Sequence, residues 1–177
     1  MPELAVWTRE AVPSDQEAIR NVLLDAYAEY EFLYPQERWE QYKANISDSV
    51  TDTKVTARIV ALLNGELVGS VFLYSTSEAA YGLPELNIQT PIMRLLAVKR
   101  NVRGHGVATA LIRASAAKSI AFGADTLHLH TSDLMKSAVR LYERLGFERA
   151  VEKDIVKEDG VVKSYRVNLK QWTQLQA

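Results

Sequence analysis

The sequence contains no cysteine. That excludes a disulfide framework, a thiolate nucleophile and any zinc site built on cysteine. Histidine is scarce as well, at positions 105, 128 and 130. His128 and His130 alternate in a stretch with strand character, so they share one face. Two histidines on one face can begin a metal site, but no third ligand stands nearby, and no metal is expected. Long hydrophobic runs are missing too: Ile59-Val60-Ala61-Leu62-Leu63 falls far short of a membrane span. The first residues, Met1-Pro2-Glu3-Leu4, carry an early acid and lack the basic-then-apolar order of a secretory signal. With nothing to redirect the chain, the cytoplasm is the expected location. Neither charge sign dominates. Lys plus Arg number 21 against 22 for Asp plus Glu, a formal net charge of −1. That balance gives no electrostatic reason to expect nucleic acid or a membrane as partner.

What is present suits one globular domain. A chain of 177 residues can bury a substantial core, and no repeat, linker or low-complexity segment divides 1–177. The pattern alternates between periods of about 2 and 3.6 residues. Strands are predicted over 7–12, 55–63, 67–74, 91–98, 126–130, 147–156 and 161–169. Helices are predicted over 15–29, 35–46 and 107–122, with a further one capped by Thr131-Ser132-Asp133 and running to Leu145. Asn64-Gly65 marks a two-residue hairpin and Glu158-Asp159-Gly160 a second turn. Gly123 and Gly146 stand where helices close. Residues 76–90 read as loop, and the apolar run 91–98, interrupted by Arg94, as a strand buried on both faces. Strand 161–169 is a candidate edge for pairing across a homodimer.

The most informative segment is Arg103-Gly104-His105-Gly106-Val107-Ala108, between that apolar strand and an amphipathic helix. The first N–H groups of a helix have no intrahelical acceptor, and the helix dipole is positive there. An anion at this turn accepts several backbone hydrogen bonds together. Gly104 and Gly106 let the backbone approach it without a Cβ. Lys99, Arg100 and Arg103 add positive charge within five residues. A lone Gly-x-Gly also fits a plain strand-to-helix turn with basic decoration. The dinucleotide fingerprint fits less well, because Thr109 stands where its third glycine belongs, and no Gly-Lys-Ser/Thr supports a P-loop.

At these residues the sequence resembles the GNAT acetyltransferase family. Residues 103–108 fill that family's Arg/Gln-x-x-Gly-x-Gly/Ala pyrophosphate motif, and Leu96-Ala97-Val98 its preceding Leu-x-Val. Ala138-Val139-Arg140-Leu141-Tyr142-Glu143-Arg144-Leu145-Gly146-Phe147 resembles its second signature. The resemblance covers about residues 91 to 150. It implies an α/β (α+β) fold with one central, mixed, mostly antiparallel twisted sheet of six to seven strands and about four helices. It also implies an N-acetyltransferase that uses acetyl-CoA as co-substrate and passes the acetyl group directly to an amine acceptor.

The site residues follow from the same resemblance. Leu96, Ala97 and Val98 would lie along the pantetheine, with the Val98 N–H as oxyanion donor. Arg103, Gly104, His105, Gly106, Val107 and Ala108 would hold the pyrophosphate. Tyr142 would be the general acid for the departing thiolate and a cofactor contact. On spacing alone, however, Ala138, Leu141, Tyr142 and Leu145 read as one core face. The sequence departs from the family at three places: Met135 replaces a common Asn, Arg100 a common Pro, and Ile92 a Glu that acts as base through water. Glu85, just before the strand, is the carboxylate available as base, or else a solvated loop residue. Tyr27, Tyr30, Glu31 and Tyr34 form either an acceptor wall or a packed aromatic cluster. Two further functions fit: a non-catalytic acyl-CoA-binding domain on the same fold, and another phosphate-binding enzyme using the glycine loop.

Overall fold

The structure, a computed structural model, describes residues 5–132, 135–158 and 160–176. Asp133 and Asp159, placed above in a helix cap and a turn, lie outside the described residues. So does the segment Met1-Pro2-Glu3-Leu4. Among the described residues the strands are β1 (Val6–Glu10), β2 (Ala57–Leu63), β3 (Glu66–Tyr74), β4 (Ile92–Val98), β5 (Thr126–Ser132), β6 (Glu148–Arg149), β7 (Ile155–Lys157) and β8 (Gly160–Asn168). The α-helices are α1 (Gln16–Tyr27), α2 (Gln36–Ser49), α3 (Ser77–Tyr81), α4 (Val107–Ala121) and α5 (Lys136–Arg144). The strands form one sheet in the order β1-β2-β3-β4-β5-β8-β6, with β7 also paired to β8. β4 and β5 run parallel, whereas β1–β2, β5–β8, β6–β8 and β7–β8 are antiparallel. Among the described residues no helix is long and apolar enough to cross a membrane.

Among the described residues, eight strands and five helices exceed the expected six to seven and four, for local reasons. Residues 76–90, read as loop, contain α3. The Thr76 hydroxyl oxygen caps that helix by accepting from the Ala79 N–H at 3.1 Å, and Gly82 closes it at φ +67°. Five residues are too few to display a period. The single strand predicted over 147–156 breaks into β6 and β7 around a 3-10 turn at Val151–Lys153. Asp154 causes the break. Its carboxylate accepts from the Ser164 N–H at 2.7 Å and from Arg149, occupying a β8 amide that a continuous strand would bond.

The chain forms two compact units. One runs to Phe72 and includes Leu95–Ala114; the other takes Leu73–Arg94 and everything from Ser115 onward. In the first, β1 pairs with β2 from Val6↔Leu63 to Glu10↔Ile59. Helix α1 buries Ile19, Val22, Leu23 and Ala26, the i, i+3, i+4, i+7 face of its sequence. The Asn64-Gly65 turn has φ of +53° and +80°, as a tight hairpin between twisted strands requires.

In the second unit, β5 pairs with β8 from Thr126↔Asn168 to Ser132↔Val162. β6 and β7 pair with β8 at Arg166, Tyr165 and 160–162. This overturns the homodimer edge expected at residues 161–169. A strand bonded along both sides has no free row of amides to offer a second chain. The Trp172 Nε1–H donates to the Leu145 carbonyl at 2.7 Å, and its ring meets Phe147 edge-on at 5.9 Å.

Candidate active site

The backbone of β4 is irregular at its centre. Leu95 has φ +54°, a conformation that bulky L-residues rarely adopt. Pairing with β5 runs through Ile92↔His128 and Met93↔Leu129. The expectation of a strand buried on both faces therefore holds only at its ends. Arg94, Leu95 and Leu96 are half-exposed, while Ile92, Met93, Ala97 and Val98 are buried. Beyond the irregularity, the Lys99 N–H donates to the Val68 carbonyl of β3 at 2.9 Å.

The chain then makes a 3-10 turn at Arg100–Val102 and enters the glycine loop. Gly104 and Gly106 are exposed, with φ of +85° and +79°. A Cβ at either position would meet nothing within 4 Å, so backbone conformation and not crowding requires glycine. The Ala110 N–H bonds the Gly106 carbonyl at 3.0 Å, which places the N–H groups of 107–109 ahead of the helical ladder. The His105 Nδ1 lies 2.9 Å from the Val102 carbonyl; a carbonyl only accepts, so Nδ1–H donates.

Helix α4 is seated on β3 by a missing side chain. A Cβ at Gly69 would lie 2.9 Å from Val107 Cγ1, 3.0 Å from Leu111 Cδ1 and 3.1 Å from the Ala97 carbonyl. Glycine at this position lets the helix start lie close against the strand. Val107 and Leu111 are buried in consequence.

Each basic residue near the loop has an acidic partner. Arg103 donates to Glu29 at 2.7 Å, Lys99 to Glu66 at 2.9 Å, and Arg100 lies 3.5 Å from Asp25, which also accepts from the Arg100 N–H at 2.9 Å. The positive charge counted in the sequence is therefore largely balanced. Burial raises the Glu29 carboxyl, but hydrogen bonds from Arg103 and Tyr30 outweigh it and hold the group below its ordinary range. Burial and Glu29 push the Tyr30 phenol up to about 12. The N–H groups of 107–109, ahead of the helical ladder, stand beside these paired charges in the chain.

Tyr27, Tyr30 and Tyr34 come together, joined by two residues that the sequence reading did not single out. Tyr42 stacks on Tyr34 at 5.6 Å and meets Tyr27 edge-on at 6.1 Å; Trp39 stacks on Tyr34 at 6.4 Å. Tyr27 also lies 6.0 Å from Tyr30, and its hydroxyl donates to the Leu96 carbonyl at 3.3 Å. Glu31 is exposed. Tyr42 and Trp39 were legible as i, i+3 aromatics of α2, but nothing in the pattern pointed them at Tyr34. In the second unit, Tyr142 is buried on α5 with its ring 5.9 Å from Phe147. Glu85 sits exposed in a 3-10 turn at Pro84–Leu86.

The sequence model of the Acetyltransferase (GNAT) family matches residues 17–147. The chain belongs to the GNAT acetyltransferase family. The fold is shared with solved structures of low sequence identity. One is an acetyltransferase of the GNAT family from Staphylococcus aureus Mu50, 19% identical, covering 93% of this chain and 99% of that one at TM-score 0.68. A GNAT acetyltransferase from Brucella melitensis, in complex with acetyl-CoA, is 20% identical and covers 93% and 88% at TM-score 0.58. The PaiA N-acetyltransferase from Thermoplasma acidophilum, in complex with coenzyme A, is 13% identical and covers 92% and 99% at TM-score 0.67. No curated protein sequence matches this one.

Within this GNAT chain the three departures acquire surroundings. Ile92, at the place of the common Glu, is fully buried beside β5. Met135 precedes α5 without a side-chain cap; its N–H bonds the Ser132 carbonyl at 3.0 Å. Arg100 opens the 3-10 turn and is held by Asp25.

Proposed function

We propose that this GNAT protein transfers the acetyl group of acetyl-CoA to a primary amine of a small molecule or peptide by direct attack. The observation that carries the reading is the pair of left-handed glycines, Gly104 and Gly106, opening the 15-residue helix α4. Amides ahead of a helix, approached over glycine, suit the two charges of a pyrophosphate. The acetyl-CoA and coenzyme A held by the Brucella and Thermoplasma proteins are consistent with that ligand.

In this reading the edge of β4 at 96–98 pairs with the pantetheine amides, and the Val98 N–H stabilises the oxyanion of the tetrahedral intermediate. The amine nitrogen first forms the new C–N bond at the carbonyl carbon, and the C–S bond breaks as the intermediate collapses. The thiolate leaves with a proton from the Tyr142 phenol, and the amine loses its proton to solvent or to a base. Glu85, exposed and carboxylate-bearing, is the base assigned here. An unchanged pH–rate profile in Glu85→Gln removes it.

The test has two stages. Calorimetric titration with acetyl-CoA is expected to give saturable binding that weakens at least about tenfold in Gly106→Val, whose side chain enters both a left-handed backbone and the ligand path. Free-thiol release is then followed over a panel of amines. Absence of acetyl-CoA binding refutes the reading altogether. Binding without release to any amine leaves the non-catalytic alternative.

A further inference from the structure

A second polar cluster lies within the unit formed by Leu73–Arg94 and the residues from Ser115, and the mechanism above does not use it. Arg94 is half-buried at the centre of β4. Its guanidinium carbon stands 4.8 Å from the Tyr81 ring centroid and 5.4 Å from that of Tyr74. One Nη1–H donates to the Ala80 carbonyl at 2.7 Å. A guanidinium has five donors, so this contact uses one. Among the described residues no carboxylate pairs with Arg94. The acid acting on neighbouring His130 is Asp154, and both its oxygens are taken, by Arg149 and by the Ser164 N–H.

The aromatic clamp is itself fixed. The His130 Nε2 lies 2.8 Å from the Lys153 carbonyl, which only accepts, so Nε2 carries the proton. Burial holds His130 below its ordinary pKa, leaving Nδ1 unprotonated at neutral pH. Nδ1 therefore accepts from the Tyr81 hydroxyl at 3.0 Å. The rings of Tyr81 and His130 meet edge-on at 4.9 Å. Lys153, whose ammonium donates to the Leu86 carbonyl at 2.8 Å, adds a second positive charge. The cluster holds two cations and a neutral imidazole, and among the described residues no carboxylate pairs with Arg94.

A guanidinium braced on two aromatic faces keeps its open edge planar, and a planar fork of donors matches the two oxygens of a carboxylate. We propose that Arg94 is a specificity residue of the acceptor site, receiving a carboxylate on the amine substrate, so that the acceptor is of the amino-acid class. The proposal rests on the acetyl-transfer reading above. It explains why a strand otherwise apolar is interrupted by one arginine that no carboxylate among the described residues neutralises.

The experiment compares matched acceptors: phenylalanine with phenethylamine, tyrosine with tyramine, lysine with cadaverine, and O-phosphoethanolamine as a non-carboxylate anion. Thiol release by the wild type is expected to favour the carboxylate member by about 100-fold in kcat/KM, the scale for an unpaired partner of a buried charged hydrogen bond. Arg94→Met abolishes that preference, Arg94→Lys restores part of it, and neither alters acetyl-CoA affinity. Equal rates within each pair, a preference for O-phosphoethanolamine, or a preference surviving in Arg94→Met overturns the assignment. Where no acceptor is turned over, saturation-transfer NMR with the N-acetylated amino acids decides. Binding to the wild type and not to Arg94→Met supports the carboxylate site; equal or absent binding overturns it. The acetyl-CoA titration reports separately on the underlying reading.

Discussion

Tyr142 is a core residue to which the proposed reaction gives a second role. Its ring is buried against Phe147, which the i, i+3, i+4, i+7 spacing anticipates, and the reaction proposed for it uses the hydroxyl. Tyr142→Phe keeps the ring and removes the proton. The expected result is a kcat lowered about 10- to 1000-fold with acetyl-CoA affinity unchanged, measured by steady-state kinetics beside calorimetry. An unaltered kcat dismisses Tyr142 as acid. The basic residues teach a different lesson. Lys99, Arg100 and Arg103 look like phosphate ligands when counted along the chain, yet Glu66, Asp25 and Glu29 hold them. Those partners lie 33 to 75 positions away.

Elements are positioned here by what certain residues omit. The start of α4 approaches β3 over Gly69, where any side chain would press on Val107, Leu111 and the Ala97 carbonyl. A Cβ 2.9 Å from a branched, buried methyl has no flexible neighbour to displace. Gly69→Ala is expected to lower stability by about 1–3 kcal/mol, the usual cost of overpacking. It is also expected to weaken acetyl-CoA binding, because the first turn of α4 presents the amides. Urea unfolding and calorimetry on the same variant read both effects; wild-type values for both would show that the helix start does not depend on this contact. Helix α3 illustrates the opposite case. Its signals, Thr76 and Gly82, are local and visible, but five residues carry no period, and a reading based on periodicity passes over it.

Across the whole molecule, buried and paired ionisable groups set the response to acid. Burial, with Arg166, His130 and Lys153 adding to it, lowers His128 from 6.5 to about 4. A base depressed in the folded state contributes stability that is complete above its unfolded pKa. That stability is lost as pH falls from about 6.5 toward 4. At 1.36 kcal/mol per unit, the loss from His128 has an upper bound of about 3 kcal/mol. Three carboxylates add a second phase at lower pH. Asp15, held down chiefly by the Arg9 hydrogen bond, is one. Glu29 and Asp154 are the others, each raised by burial but lowered more by its partners. Their contribution is present above the ordinary carboxylate pKa of about 4 and disappears as pH falls through the folded values. Thermal melts between pH 7.5 and 5 are expected to show a falling Tm, with a shallower fall in His128→Leu. Parallel curves for the two proteins would rule out His128 as the source.

The features readable in advance were those written in short spans of chain. Hairpin Asn64-Gly65, the helix-closing Gly123 and Gly146, the face of α1 and the glycine loop each depend on backbone dihedrals or spacing within a few residues. A sequence states such things directly. The amide-rich turn before α4 belongs to this class, and with it the family. Tertiary structure alone decided which charges cancel, that Trp39 and Tyr42 join Tyr34, and that β8 is covered along both edges. It also decided that Leu95 turns left-handed within β4, and that Arg94 gathers Tyr74, Tyr81 and, through Tyr81, His130, with no carboxylate partner among the described residues. Each of these requires knowing which distant segments meet. Coulombic and packing energies depend on separation in space, and separation along the chain does not supply it.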